Sequence, residues 1–283
     1  HLCKTFGITK AVADVSFSIN KGEVHALIGE NGSGKSTLTN MLTGIYTIDS
    51  GKFILDGKEV HPKNQVDANR EGISIIVQEL GTLSGLTVAE NIFLGHEDKF
   101  TKFGIKNTNL MNKMATELLN KYGFGRIKAG DIIDHYNFED RKLIEIVKAT
   151  YFDPKIVVID ETTTALSNEG RHELYKHMDR IKKSGNTVIF ISHDLPEILE
   201  KSDTITVLRD GVYIDTVSSK DIDEEGLRNL LSFKKIELKQ TTSSIQEKGY
   251  GFGLMNCKGI IEKYKKVSSI FKNCSIGAES EIG

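Results

Sequence analysis

The chain has 283 residues, 39% of them hydrophobic and 27% charged, with a formal net charge of −2. That is enough apolar sequence for a buried core in one large domain or two small ones, and so balanced a charge excludes a strongly basic nucleic-acid binder. Three widely spaced cysteines, Cys3, Cys257 and Cys274, exclude a disulfide scaffold and a cysteine metal site, no apolar run reaches the roughly 18 residues of a membrane span, and no signal peptide is visible. A reducing, cytoplasmic setting is expected, with docking on a membrane protein still open. The basic pairs Lys234-Lys235 and Lys265-Lys266 read as solvated surface.

His1-Leu2 leads directly into strand-like sequence. Val12 to Ile19 alternates and predicts a strand, with a turn at Lys21-Gly22. Val24 to Ile28 is a short apolar run and predicts a buried strand. Directly after it, Gly29-Glu30-Asn31-Gly32-Ser33-Gly34-Lys35-Ser36-Thr37 fits the phosphate-binding pattern G-x-x-x-x-G-K-[ST], and Leu38 to Leu42 continues as a helix. Strand, loop and helix are the context that this P-loop pattern needs. Gly29, Gly32 and Gly34 let the amides of the loop, including those of Asn31, Ser33 and Thr37, approach phosphate oxygens, and the helix start adds partial positive charge. Lys35 is expected to reach the β- and γ-phosphates, and the Ser36 hydroxyl to ligate Mg²⁺.

Phe53 to Leu55 followed by Asp56-Gly57 predicts a hairpin arm and its turn, so antiparallel strands join the P-loop core early in the chain. Gly72 to Val77 is a second buried apolar run. Residues from about 88 to 150 read as mostly helical, with Leu110, Met111, Met114, Leu118 and Leu119 forming an apolar face within Asn109 to Tyr122, and a further helix at Leu143 to Ala149. Ile156 to Ile159 is a third buried strand, ending in Asp160-Glu161. Arg171 to Lys183 predicts a helix closing near Gly185. Thr187 to Ile191 is a fourth strand, ending in Ser192-His193. Ile205 to Leu208, Asp210-Gly211 and Val212 to Val217 predict a final strand pair. Lys239 to Lys248 is polar and reads as a linker.

Strands alternating with helices predict an α/β fold: a P-loop NTPase core with a mostly parallel sheet, an N-terminal antiparallel β subdomain and an inserted α-helical subdomain. In such sheets ligands bind at the carboxyl ends of the strands. Asp160, at a strand end downstream of a P-loop, fits a carboxylate that holds Mg²⁺, and its neighbour Glu161 is placed to orient or polarise an attacking water. His193, at the end of its own strand, is placed to contact the γ-phosphate.

Lys4-Thr5-Phe6-Gly7, the P-loop with Thr43-Gly44-Ile45-Tyr46 after it, Val77-Gln78-Glu79-Leu80, Leu86 to Gly95, Asp160-Glu161, Ala165-Leu166-Ser167, Ile191-Ser192-His193 and Leu208-Arg209-Asp210-Gly211 follow one another in order. This set resembles an ATP-binding cassette (ABC) domain, and specifically the ATPase of bacterial monosaccharide importers of the ribose, galactose and xylose type. The resemblance runs from the first residue to about Leu231. It implies ATP and Mg²⁺ as ligands. It assigns Phe6 to stacking on adenine, and Gln78 to sensing Mg²⁺ and the γ-phosphate and linking to the permease. It makes Glu161 the catalytic glutamate and His193 the switch histidine. It implies membrane permease subunits, a second cassette (fused or dimeric) and, indirectly, an extracytoplasmic sugar-binding protein as partners, with no nucleic acid, and a peripheral location on the cytoplasmic face of the cell membrane. A soluble cassette of translation or DNA repair fits less well, given the near-neutral charge and the run Leu86 to Gly95.

Two departures from the family pattern stand out. Thr162 replaces the usual proline after the glutamate and is expected to loosen that turn. More consequential, aligning on Glu145-Ile146-x-Lys148-Ala149 sets Tyr136-Asn137-Phe138-Glu139-Asp140 where the family reads Leu-Ser-x-Gly-Gln. In the family this helix start touches the γ-phosphate bound to the opposite cassette, so Glu139 in place of glycine blocks close approach and adds negative charge. Unit charges about 4 Å apart at an effective dielectric near 20 repel by about 4 kcal/mol, and half of that is one to two decades of affinity. The site using this loop is therefore expected to be a poor hydrolytic site, and a non-catalytic ATP-binding cassette is the alternative function. The expected organisation is a nucleotide-binding domain over 1–235 (helical part about 88–150), a linker over 236–250, and the incomplete start of a second cassette over 251–283, the first cassette of a tandem protein cut before its second nucleotide site. Alone, this piece is expected to bind MgATP and hydrolyse it slowly.

Overall fold

A computed structural model of the chain describes residues 1–77 and 79–232. The linker expected over 236–250 and the second-cassette start over 251–283 lie outside the described residues.

The chain opens with a hairpin of β1 (Leu2–Phe6) and β2 (Thr9–Val15), then enters the central sheet at β3 (Val24–Ile28) and leaves it through α1 (Lys35–Leu42). A second hairpin, β4 (Phe53–Leu55) and β5 (Lys58–Val60), turns at Asp56-Gly57 as the sequence predicts, and with β1 and β2 it forms the antiparallel part. Then come α2 (Gln65–Arg70), β6 (Ile73–Ile76) and α3 (Val88–Ile92), followed by a small hairpin of β7 (Thr101–Lys102) and β8 (Ile105–Lys106). The long helices α4 (Thr108–Lys121) and α5 (Phe138–Thr150) precede β9 (Ile156–Asp160), α6 (Asn168–Lys183), β10 (Thr187–Ile191) and α7 (Leu195–Lys201). The pair β11 (Thr204–Arg209) and β12 (Val212–Ser218) and then α8 (Glu224–Leu231) complete the described part.

The central sheet has the order β12-β11-β3-β10-β9-β6, in which β11, β3, β10, β9 and β6 run parallel and β12 is an antiparallel edge. Strands of a parallel sheet are covered on both faces, which is why these segments read as unbroken apolar runs. Alternate residues split between two cores. Val24, Ala26, Ile28, Val157, Ile159, Val188 and Phe190 face α3 to α6, whereas Leu27, Ile75, Val158, Ile189 and Ile191 pack with Leu38 and Met41 of α1 and with Val12 and Val15 of the first hairpin. No helix among the described residues is long and apolar enough to cross a membrane.

Two expectations need correction. The strand expected over Val12 to Ile19 is paired only to Val15, although Phe17 and Ile19 keep the inward alternation against the second core. Burial, not a ladder, is what their spacing encodes. The region about 88–150 contains α3, α4 and α5 as expected, together with the β7–β8 hairpin. Its turn is Phe103-Gly104, both at positive φ (50° and 77°), and a phenylalanine there carries none of the usual turn signal.

A buried polar cluster ties β3 to β11. His25 Nδ1 lies 2.9 Å from Glu23 Oε1 and its Nε2 lies 2.8 Å from Thr206 Oγ1, while Thr204 Oγ1 donates to Glu23 Oε2 at 3.0 Å. Burial alone would raise the Glu23 carboxyl, but hydrogen bonds from His25 and Asn20 outweigh it and hold the value down at about 2, against 4.5 ordinarily. A folded value below the unfolded one contributes stability above about pH 4.5 that is lost as pH falls towards 2. Glu23→Gln should therefore lower the melting temperature at neutral pH, and the gap from wild type should close as pH is taken from about 4.5 to 2 in calorimetry. A gap that stays constant with pH would show that the ionised carboxylate is not what stabilises this cluster.

Candidate functional site

Parallel strands end together, so β3, β10 and β9 deliver three polar segments to one edge: the P-loop, Ser192-His193 and Asp160-Glu161. β10 lies between the other two and registers Ile191 against Asp160.

The P-loop glycines are there for space and for backbone shape. A Cβ on Gly29 would lie 2.2 Å from Ser33 Oγ and 2.4 Å from the carbonyl oxygen of Leu208. Gly34, the residue before α1, has φ 97°, and a Cβ there would lie 2.5 Å from the carbonyl oxygen of Ala11. The loop is thus wedged between β2 and the end of β11. Asn31 and Gly32 at its tip are exposed, as is Ser36, whereas Ser33 and Lys35 are buried and Thr37 is half-buried. The Ser33 hydroxyl is buried with no hydrogen-bond partner. The Lys35 ammonium folds back on the loop, donating to the carbonyls of Gly29 at 2.8 Å and Glu30 at 3.1 Å. Burial lowers the Lys35 pKa, against the opposing pull of Glu161 and Asp160. Its charge, the start of α1 and the loop amides together make an anion cradle.

Asp160 is buried, and its Oδ1 has no hydrogen-bond partner. Burial, with the adjacent Glu161 charge, pushes its carboxyl up to about 6, against the pull of Lys35 and His193. Glu161 has a left-handed backbone, φ 44° and ψ 31°, which a non-glycine residue holds only where its surroundings fix it. Its N–H donates to the carbonyl of Ile191 at 3.0 Å, and its Oε1 lies 2.6 Å from His193 Nε2. Glu161 and His193, which the sequence places separately at the ends of two strands, are in direct contact. The turn after Glu161 is not loosened by Thr162: that side chain is buried and its hydroxyl donates to the carbonyl of Asp160 at 3.1 Å, closing the turn by a hydrogen bond where a proline ring would restrict it. Magnesium fits this edge, because an orphaned buried carboxylate oxygen and a raised carboxyl pKa both mark missing positive charge. Among the described residues no cluster of three or more His, Cys, Asp or Glu could hold an ion alone.

Phe6, at the end of β1, is 42% exposed and stands edge-on to Tyr46 with ring centroids 5.1 Å apart, leaving an aromatic available at the surface. Gln78 lies outside the described residues. The backbone on either side of it is gripped by Lys142 of α5, which is fully buried. Its ammonium donates to the carbonyls of Val77 at 2.6 Å and of Glu79, and pairs with Glu145 at 3.0 Å. Glu145 in turn accepts from the N–H of Gly81 at 2.5 Å. Sequence reasoning passed over this pair; its one signal is two opposite charges three residues apart on one helix.

The loop in the signature position caps α5. Asn137 Oδ1 accepts from the N–H of Asp140 at 2.8 Å. Glu139 is turned onto its own chain, its Oε1 accepting from the Ser167 hydroxyl at 2.6 Å beside the start of α6. Its negative charge therefore sits between two helix N-termini.

Comparison with known proteins adds relatives to this geometry. The family model described as ABC transporter matches residues 12–164, which include the P-loop and Asp160-Glu161. The ribose import ATP-binding protein RbsA of Halalkalibacterium halodurans is 42% identical over 213 residues, covering 75% of this chain and 42% of that protein. RbsA of Clostridium perfringens is 40% identical over 235 residues, covering 83% of this chain and 46% of that protein. The chain thus spans less than half the length of these relatives. A nucleotide-free ATP-binding cassette from an ABC transporter superposes with a TM-score of 0.68 at 28% identity, covering 81% of this chain and 92% of the other. An ATP-binding cassette of an ABC transporter in its ADP conformation gives 0.67 at 29% identity, with the same shares.

The raised Asp160 pKa has a measurable sign. A folded value of about 6 above the ordinary 3.8 means that the fold disfavours the ionised form. The cost is absent below about pH 4 and complete above about pH 6. Asp160→Asn should raise the ligand-free melting temperature near pH 7.5, and the gain should shrink as pH falls to 4. A gain unchanged across that range would show that Asp160 carries no uncompensated charge.

Proposed function

The chain belongs to the ABC transporter family, and from that premise we propose that it is the ATP-binding and ATP-hydrolysing part of a protein that powers monosaccharide import through a membrane permease. The observation that carries the proposal is the meeting at one sheet edge of Lys35, Asp160 and the Glu161–His193 pair, whose nearest side-chain atoms are 2.6 Å apart. The names of the sugar-import relatives support the substrate class. In this reading the P-loop amides and Lys35 hold the ATP phosphates, Phe6 stacks on adenine, and Ser36, Gln78 and Asp160 hold Mg²⁺. When bound, the ion would supply positive charge against the phosphates. Glu161 orients a water and takes its proton as the water oxygen attacks the γ-phosphorus, while the bond from that phosphorus to the bridging oxygen breaks and the electron pair leaves with ADP. His193 holds the Glu161 carboxylate in place.

The nucleotide-binding unit is assigned to 1–235 with its helical insertion at about 88–150, followed by a linker at 236–250 and the start of a second cassette at 251–283. Relatives more than twice as long as the matched stretch support a second half. The permease, the second cassette and, indirectly, an extracytoplasmic sugar-binding protein are the partners, and the location is the cytoplasmic face of the membrane. Glu139 favours one variant reading, in which the composite site that uses this chain's signature loop binds ATP without turning it over. Its carboxylate stands where the family has glycine, anchored by Ser167.

ATP turnover by the full-length protein with its permease in lipid, wild type against Glu161→Gln, tests the proposal. Loss of about 100-fold or more with MgATP binding retained is expected. Turnover at the wild-type rate would make this half a non-catalytic cassette.

A further inference from the structure

The contact between Glu161 and His193 joins two loops that each need a fixed backbone. Glu161 sits in a left-handed conformation, and His193 follows the last residues of β10. Among the described residues no hydrogen bond joins either loop to the P-loop. Both are held from behind by one buried carboxylate, that of Glu197, on the first turn of α7.

Glu197 accepts three side-chain hydroxyls. Its Oε2 accepts from Thr163 Oγ1 at 3.1 Å and from Ser192 Oγ, and its Oε1 accepts from the Tyr175 phenol. Thr163 lies in the short turn directly after Glu161 and Thr162, and its carbonyl also accepts from Arg171 Nε at 2.9 Å. Ser192 is the residue before His193, and its hydroxyl oxygen accepts from the N–H of Asp194, the residue after His193, at 3.1 Å. Asp194 caps α7 by accepting from the N–H of Glu197 at 3.1 Å. The backbone on both sides of His193 and the turn leaving Glu161 are thereby fastened to the same point. Burial and the neighbouring carboxylate push the Tyr175 phenol well above its usual range, so it stays a donor.

The geometry points to Glu197 as a positioning residue for the proposed hydrolysis, one that sets the register of Glu161 against His193 without touching nucleotide. This rests on the reading of Glu161 and His193 as the reacting pair. A group buried in a chain of satisfied hydrogen bonds transmits a displacement instead of absorbing it, and a misplacement of about 1 Å at a reacting group costs up to about 100-fold in rate.

Two measurements test the role. The first reads the imidazole ¹⁵N resonances of His193 in the 283-residue chain, in wild type, Glu197→Ala, Glu197→Gln and the near-isosteric Thr163→Val. The last serves if the alanine variant does not fold. His193 should shift in Glu197→Ala and in Thr163→Val, and return close to wild type in Glu197→Gln, which keeps an acceptor oxygen. Resonances unmoved in a folded Glu197→Ala or Thr163→Val chain would overturn the positioning role. The second reads ATP turnover of the full-length protein with its permease. Glu197→Ala should lower kcat by about ten- to a hundredfold with KM within about twofold, and should cost less in a His193→Ala background, where only the Glu161 side of the network is left to displace. A full additional loss in that background would overturn action through His193. If the resonances move but Glu161→Gln turns over like wild type, the hydrolytic reading falls while Glu197 is confirmed in setting the geometry.

Discussion

A parallel strand can only end where its neighbours end, and the placement of β10 between β3 and β9 fixes which ends are neighbours. Everything chemical in this chain depends on that order. β3 hands on to the P-loop and β9 to Asp160-Glu161, too far apart on the sheet to touch through backbone. β10 fills the gap and presents Ser192-His193 between them. The Glu161 amide bonds to the Ile191 carbonyl, which carries the sheet pairing one residue beyond its last ladder position. The contact of Glu161 with His193 follows from this register.

The edge is organised at a cost to the ligand-free fold. A carboxylate oxygen of Asp160 and the Ser33 hydroxyl are buried without partners, Glu161 has an unfavourable backbone, and Lys35 is desolvated with its ammonium turned onto loop carbonyls. Three of these four are groups whose missing partner is of known kind: a cation for Asp160, an oxygen acceptor for Ser33, an anion for Lys35. A nucleoside triphosphate with a divalent ion supplies all three. The surrounding structure keeps these groups in place through satisfied polar contacts at the rear, including Thr162 on the Asp160 carbonyl and Lys142 on the carbonyls flanking Gln78.

Local patterns carried most of the fold. The P-loop is readable because its nine residues are contiguous and its glycines answer to local clashes, such as Gly29 against Ser33. The buried strands are readable because two-sided burial forces unbroken apolar runs. What the sequence hides are partnerships made across distance. Glu197 looks like one more acidic residue of a short helix, yet its partners Thr163 and Tyr175 are 34 and 22 positions away. Lys142 reaches back 65 positions to Val77. The Thr162 hydroxyl bond depends on a turn whose shape no composition rule specifies. The β7–β8 hairpin escaped because Phe103 at a positive φ breaks the turn preferences by which hairpins are recognised. Glu139 stands out in the sequence as a departure from the family pattern, but its tie to Ser167 is visible only with α5 and α6 placed side by side.

In the proposed function this sheet edge is completed by a triphosphate and a divalent ion together. Isothermal titration of the chain with ATP in excess Mg²⁺, and again in EDTA, tests it most directly. Saturable binding that weakens at least about tenfold without the ion is the result predicted, since Asp160 is then left without its cation. Equal affinity in both conditions, or no binding in either, would contradict it.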